Sequence, residues 1–326
     1  MGLQVYWYDF VCFGIVAASF CGALWVIWRR EGSSSRLEDS TIYDGLLVAQ
    51  PSSQVVFTAG ALPRGHVGSS QLWTSCWKGV HPGWLLLTRS LSFLIMAAFL
   101  GWDVVEWDAT IFVYYTEWTF TLVIIYFAIG SIVSAYGCWL LSKHPGQSDL
   151  EEKAEELKGE MMQRHNNKAQ QEIHERAGFW GYIMQIAFQT CAGAVILTDI
   201  VFWCIILPFE SNSHLGLTLL MGCMHTLNAF FLLVDTILNI LPFPWFRLAY
   251  FVLWSCVYVI FQWIIHACGF SWWPYPFLEL DTPWAPLWYF CLALIHIPCY
   301  GLYALIIKAK YTILPRLFPH AFVRSH

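Results

Sequence analysis

Four polar residues of chemically useful types interrupt the apolar runs of this chain. Thr116, Asp199, His225 and His266 each stand in or beside a long apolar stretch. A threonine hydroxyl is unreactive by itself and needs an adjacent base, which a neutral histidine supplies, and a carboxylate can orient the histidine ring. If the fold brings them together, these residues point to nucleophilic attack by a hydroxyl group in an apolar environment.

Polar residues form a stripe along one face of the apolar run that contains His225. At ~100° per residue its members cover about a quarter of the helix circumference: His225, Asn228, Asp235, Thr236 and Asn239. Asn228 lies one turn from His225, so we assign it a supporting role with Asp199 and His266. Asp235 and Asn239 lie near the other end of the run, outside one compact site. The alternative for each residue is a structural hydrogen bond between helices.

Metal and cofactor chemistry has little support in the spacing of histidines and cysteines. Two of His225, His266 and His296 could hold a haem, although no spacing singles out that group. The remaining central histidines lack the clustered spacing of membrane di-iron enzymes: His144, His165 and His174. The sequence contains no CxxC pair that could bind zinc. We predict no metal and no cofactor.

Composition identifies the environment in which this chemistry would occur. The chain has 326 residues, of which 58% are hydrophobic and 12% are charged, too few polar residues to cover a soluble domain. Seven runs reach the ~20 residues needed to cross a bilayer: 6–28, 83–102, 110–142, 178–208, 215–241, 245–269 and 285–311. The sequence therefore predicts an all-α, polytopic transmembrane helical bundle, and the lipid bilayer rather than nucleic acid as its partner.

The distribution of cations predicts the orientation. The connections 103–109, 209–214 and 270–284 contain no Lys or Arg, and all 17 cations fit the opposite side, which by the positive-inside rule is cytosolic. The N-terminus is then non-cytoplasmic and the C-terminus cytosolic. Arg247, Lys308 and Lys310 lie at most three residues from a span end. Arg89 falls further within its span, near the cytosolic end, where we expect its side chain to reach the interface.

The same pattern divides the chain. Residues 1–28 form the first span, 29–82 a polar cytosolic linker that we expect to be partly disordered, 83–311 the bundle and 312–326 a cytosolic tail, with a charged helical linker at 143–177. The location is an endomembrane or the plasma membrane.

Several short motifs occur along the chain: YTEWTF at 115–120, CMHT at 223–226 with an acid at Asp235, WIIH at 263–266 and WPYPFLE at 273–279. They resemble motifs of the androgen-induced-gene family of membrane hydrolases, and MHTLNAFFLLVD at 224–235 resembles its rolling stone branch. The resemblance covers roughly residues 110–307. The resemblance implies Thr116 as the nucleophile and His225 as the base, acting on fatty acid esters of hydroxy fatty acids.

Three functions remain open at this point. The first is a membrane-embedded hydrolase of lipid esters, whose substrate enters from the bilayer beneath the aromatic loop 270–284. The second is a non-catalytic protein of cell-surface interaction or fusion, as the rolling stone resemblance implies. The third, a receptor-like or transporter-like seven-span protein, lacks the DRY and NPxxY elements of receptors.

Overall fold

A computed structural model describes residues 6–47, 67–143, 178–210 and 219–322, and over 32–47, 209–210 and 219 it gives the backbone path alone. The charged linker predicted over 143–177 lies outside the described residues apart from Lys143, as do 48–66 of the first linker and 323–326 of the tail.

Among these described residues, seven helices are long and apolar enough to cross a membrane, which confirms the predicted all-α polytopic bundle. They are α1 (Trp7–Leu47), α2 (Pro82–Trp107), α3 (Tyr115–Lys143), α4 (Phe179–Ile200), α5 (Leu219–Leu238), α6 (Leu248–Ala267) and α7 (Ala285–Leu317). A π-helical turn, Val201–Ile206, and a final turn, Leu207–Glu210, extend α4. A 3₁₀ turn, Ala109–Val113, precedes α3.

Helix α4 occupies the centre of the bundle. It packs against α3, α5, α6 and α7, while α1 lies against α6 and α7 on one side. Its span has the largest buried share of the seven, 56%. The side chain of Phe251 on α6 lies so close to Gly193 that a Cβ there would collide with the ring, so a small residue is needed for this helix contact. We call the end of the bundle with the connections 108–114 and 268–284 the outer end, and the opposite end the inner end.

Part of the first linker is more ordered than the sequence predicts. Helix α1 continues past residue 28 to Leu47, and residues 67–81 pack against the inner end. The Cys76 amide donates to the Leu238 carbonyl at 2.9 Å, and the Cys76 thiol lies 3.0 Å from the Ile237 carbonyl. Burial raises the pKa of the Cys76 thiol. The polar composition concealed this contact because a few apolar residues, Val67, Leu72 and Cys76, carry it.

The expectation that Arg89 reaches the interface is wrong. Its side chain is fully buried, and its Nε donates to Asp235 Oδ1 at 2.8 Å. Nη1 donates to the Leu72 carbonyl at 2.9 Å and to Ser134 Oγ at 2.8 Å. An unpaired arginine in a span would need to reach the lipid headgroups. Arg89 does not, because Asp235 on α5 faces α2 and forms a buried ion pair with it, supported by further hydrogen bonds.

The orientation remains a prediction of the cation distribution. A tag placed before Met1 is expected to be digested by protease added outside the intact membrane, and a tag after His326 only after permeabilisation, because seven crossings put the termini on opposite sides. Protease protection of tagged protein in sealed membranes measures this. Digestion of both tags from the same side would contradict the seven-span orientation.

Candidate active site

A cavity lies in the outer half of the bundle, between α3, α4, α5, α6, α7 and the loop 268–284. Its volume is about 580 Å³ when the open space at its mouth is included. Most of the lining is aliphatic or aromatic. Thr116 and His225 both line it, so the structure brings the predicted nucleophile and the predicted base to one cavity.

Thr116 lies in the first turn of α3, directly after the 3₁₀ turn that ends at Val113. The neighbouring Tyr115 amide donates to the Tyr275 hydroxyl at 3.2 Å. Burial raises the pKa of Tyr275, and a hydrogen bond from the Thr116 side chain opposes that rise. Tyr275 therefore stays a neutral phenol at neutral pH, a hydrogen-bond donor adjoining Thr116.

The ring of His225, a residue of α5, makes two contacts with α4. Its ring stacks on Phe202, with centroids 3.7 Å apart and planes at 8°. Its Nδ1 lies 3.6 Å from Asp199 Oδ1, and the Asp199 side chain is 19% exposed. Phe202 belongs to the π-helical turn of α4, which also contributes Val201 and Ile206 to the lining. Such turns often occur at functional sites.

The cavity also holds a chain of hydrogen bonds that the sequence did not indicate. His296 on α7 and Ser255 on α6 both line the cavity. His296 Nε2 lies 2.7 Å from Ser255 Oγ, which lies 2.8 Å from the Tyr115 hydroxyl. The sequence suggests His296 only as a possible haem ligand, and Ser255 is an isolated serine in an apolar run. No spacing could have paired them, since their contact depends on the rotation of two helices.

None of the three predicted supporting residues lines the cavity, although Asp199 lies 3.6 Å from the His225 ring. His266 lies at the outer end of α6, where its Nδ1 is 2.7 Å from the Gln262 carbonyl and its Nε2 is 3.1 Å from the Trp272 carbonyl. Its ring stacks on Trp273 at 3.6 Å, so it fastens the loop rather than facing a substrate. Asn228 is buried and its Oδ1 accepts the Ala229 amide at 2.6 Å. The sequence places His266 by its depth and Asn228 by its position one turn from His225, and neither criterion determines the direction of a side chain.

The loop 268–284 forms one wall of the cavity. Tyr275, Phe277 and Leu278 line it, and the Leu278 carbonyl accepts the Tyr289 hydroxyl of α7 at 2.9 Å. The predicted covering role of the aromatic loop therefore fits its position.

Within the described ranges, no group of three or more His, Cys, Asp or Glu side chains could hold a metal ion. Of the three histidines that the sequence suggests as possible haem ligands, His225 and His296 line the cavity and His266 does not.

Comparisons with known proteins identify no relative of this chain. No protein-family model, no curated protein and no solved structure matches it. The integral, multi-pass membrane architecture therefore stands on the seven helices, and the chemistry must be inferred from the cavity itself.

Proposed function

We propose that this protein is a membrane-embedded hydrolase of lipid esters, with Thr116 as the nucleophile and His225 as the base. One observation carries the proposal: Thr116 and His225 line the same mostly apolar cavity inside the bundle. A hydroxyl and an imidazole that line one cavity are the parts required for acyl transfer through a covalent intermediate.

The geometry suggests a role for each group. With His225 Nδ1 turned toward Asp199, Nε2 is the ring nitrogen that accepts the proton of the Thr116 hydroxyl. Thr116 Oγ1 attacks the ester carbonyl carbon, the alcohol leaves with that proton, and water then releases the acid. The nearby Asp199 carboxylate favours the imidazolium that forms in between. The neutral Tyr275 hydroxyl is a donor for the oxyanion.

The lining defines the class of substrate. Apart from the polar groups above, the cavity presents side chains such as Leu197, Val259 and Leu292, which suit a long acyl chain. Because the cavity lies within the span of the bundle, the substrate is an ester dissolved in the bilayer. The motifs around Thr116, His225 and Tyr275 lead us to propose membership of the androgen-induced-gene family, with esters of hydroxy fatty acids as the substrate.

The test is a site-resolved reaction with an alkyl fluorophosphonate, a probe that forms a covalent adduct with an activated hydroxyl. We expect fragment masses of the labelled full-length protein to place an adduct on Thr116. Thr116→Ala should remove that adduct without reducing the amount of folded protein, because losing a small hydroxyl changes packing little.

Thr119→Ala is the matched control for that reaction. Thr119 is buried one turn further along α3 and does not line the cavity, so its removal should leave the adduct on Thr116 in place. Folded protein that forms no adduct on Thr116 would contradict the proposal and favour the role in cell-surface interaction or fusion.

A further inference from the structure

The hydrogen bonds around His296 indicate which tautomer its neutral ring adopts. His296 Nδ1 lies 2.6 Å from the Leu292 carbonyl, which can only accept, so Nδ1 carries the hydrogen. In the neutral ring Nε2 is then an acceptor, and the partner 2.7 Å away is Ser255 Oγ. Ser255 therefore donates its hydroxyl hydrogen to His296. The Tyr115 hydroxyl, 2.8 Å from Ser255 Oγ, in turn donates to Ser255.

Three other serines in the spans use their hydroxyls differently. Ser19, Ser92 and Ser131 each donate to the carbonyl four residues earlier in their own helix, at 2.7–2.8 Å, the ordinary arrangement in a membrane helix. Ser255 instead contacts an imidazole on α7 and a phenol on α3. Serine and histidine also both line the cavity, so a ligand in the cavity would meet this pair directly.

We infer that Ser255 is a second nucleophile of this cavity, with His296 as its base and an acyl ester of a lipid as its substrate. The inference rests on the proposed function for the class of substrate, but on different residues for the chemistry. The Leu292 carbonyl holds the His296 ring in the tautomer that a general base needs, as a carboxylate does in other hydrolases.

The reaction balances with water as the only co-reactant. Ser255 Oγ forms a bond to the ester carbonyl carbon while its proton passes to His296 Nε2. The carbon–oxygen bond to the alcohol breaks, and the alcohol leaves with that proton. Water then attacks the acyl-serine and loses a proton to Nε2, and that proton returns to Ser255 Oγ as the acid departs.

Thr116 and Ser255 line the same cavity. Tyr115 connects their positions, because it directly precedes Thr116 and its hydroxyl lies 2.8 Å from Ser255 Oγ. Site-resolved labelling separates the two nucleophiles.

The experiment uses the alkyl fluorophosphonate on full-length Thr116→Ala protein in detergent. We expect an adduct on Ser255, formed about 10²-fold more slowly when His296→Asn is added, because general-base assistance is lost. Ser92→Ala, which removes a buried serine bonded within its own helix, is the control and should leave the adduct on Ser255 unchanged.

Each outcome decides one claim. An adduct on Thr116 in the wild type with none on Ser255 in the Thr116→Ala protein would overturn the inference and leave the proposed function standing. An adduct on Ser255, with none on Thr116 in the wild type, would support the inference and overturn Thr116 as the nucleophile. Absence of both adducts from folded protein would overturn both.

Ser255→Cys covers the case in which His296→Asn does not fold. Its thiol takes the place of the hydroxyl next to His296 Nε2. An alkyl maleimide is expected to modify position 255 faster than Cys256, the buried neighbour on the same helix. Equal or slower modification at position 255 would overturn the inference.

Discussion

His225→Gln is expected to lower the rate of Thr116 labelling by about 10²–10⁴-fold, the usual contribution of a general base. Glutamine keeps a polar group toward Asp199 and a side chain against Phe202, but it cannot accept the proton. The measurement is the rate of adduct formation on Thr116 per folded molecule, with folding followed by size-exclusion chromatography and thermal unfolding.

Asn228→Ala is the matched control for His225→Gln. Asn228 is also buried, lies one turn away on α5 and does not line the cavity. Its replacement should leave the labelling rate close to that of the wild type. Unchanged labelling in the His225→Gln protein would remove His225 from the catalytic role.

Asp235→Ala is expected to reduce the free energy of unfolding by about 3–5 kcal/mol, because it leaves the buried Arg89 guanidinium without its counter-charge. Asp235 Oδ1 pairs with Arg89, and its Oδ2 accepts hydrogen bonds from the Tyr126 hydroxyl and from Asn239 Nδ2. Thermal or denaturant unfolding in detergent measures the loss.

The double substitution Arg89→Met/Asp235→Leu is the control for that prediction. It removes both charges together and should recover much of the lost stability, since apolar replacements of a buried pair are often neutral. Asp235 lies ten residues from His225, or ~15 Å along the helix, so labelling of Thr116 per folded molecule should persist. A double variant as unstable as Asp235→Ala would contradict the role of the ion pair.

The helices were predictable because crossing a bilayer demands a length and a composition that a sequence displays directly. The seven runs, the convergence of Thr116 and His225, and the loop over the cavity all followed from apolar length, depth and motifs. The order of residues 67–81 did not follow, because a polar composition concealed the few buried apolar side chains.

Helix rotation explains the remaining differences. Depth along a span can be counted, but the direction of a side chain depends on neighbours that the sequence does not identify. Arg89 lies near a helix end, yet it turns inward to Asp235. His266 lies at the depth of the site, yet it faces the loop. Ser255 and His296 stand 41 positions apart, and only the packing of α6 against α7 makes them a pair.

Release of fatty acid from a lipid ester by protein reconstituted in vesicles tests the central claim most directly. The Ser255→Ala background prevents the second hydroxyl from substituting for Thr116. The account predicts that the Ser255→Ala protein releases fatty acid faster than empty vesicles do. Adding Thr116→Ala to this protein should lower the release to the rate of empty vesicles. A double variant that hydrolyses the ester as fast as its Ser255→Ala parent would contradict Thr116 as the nucleophile.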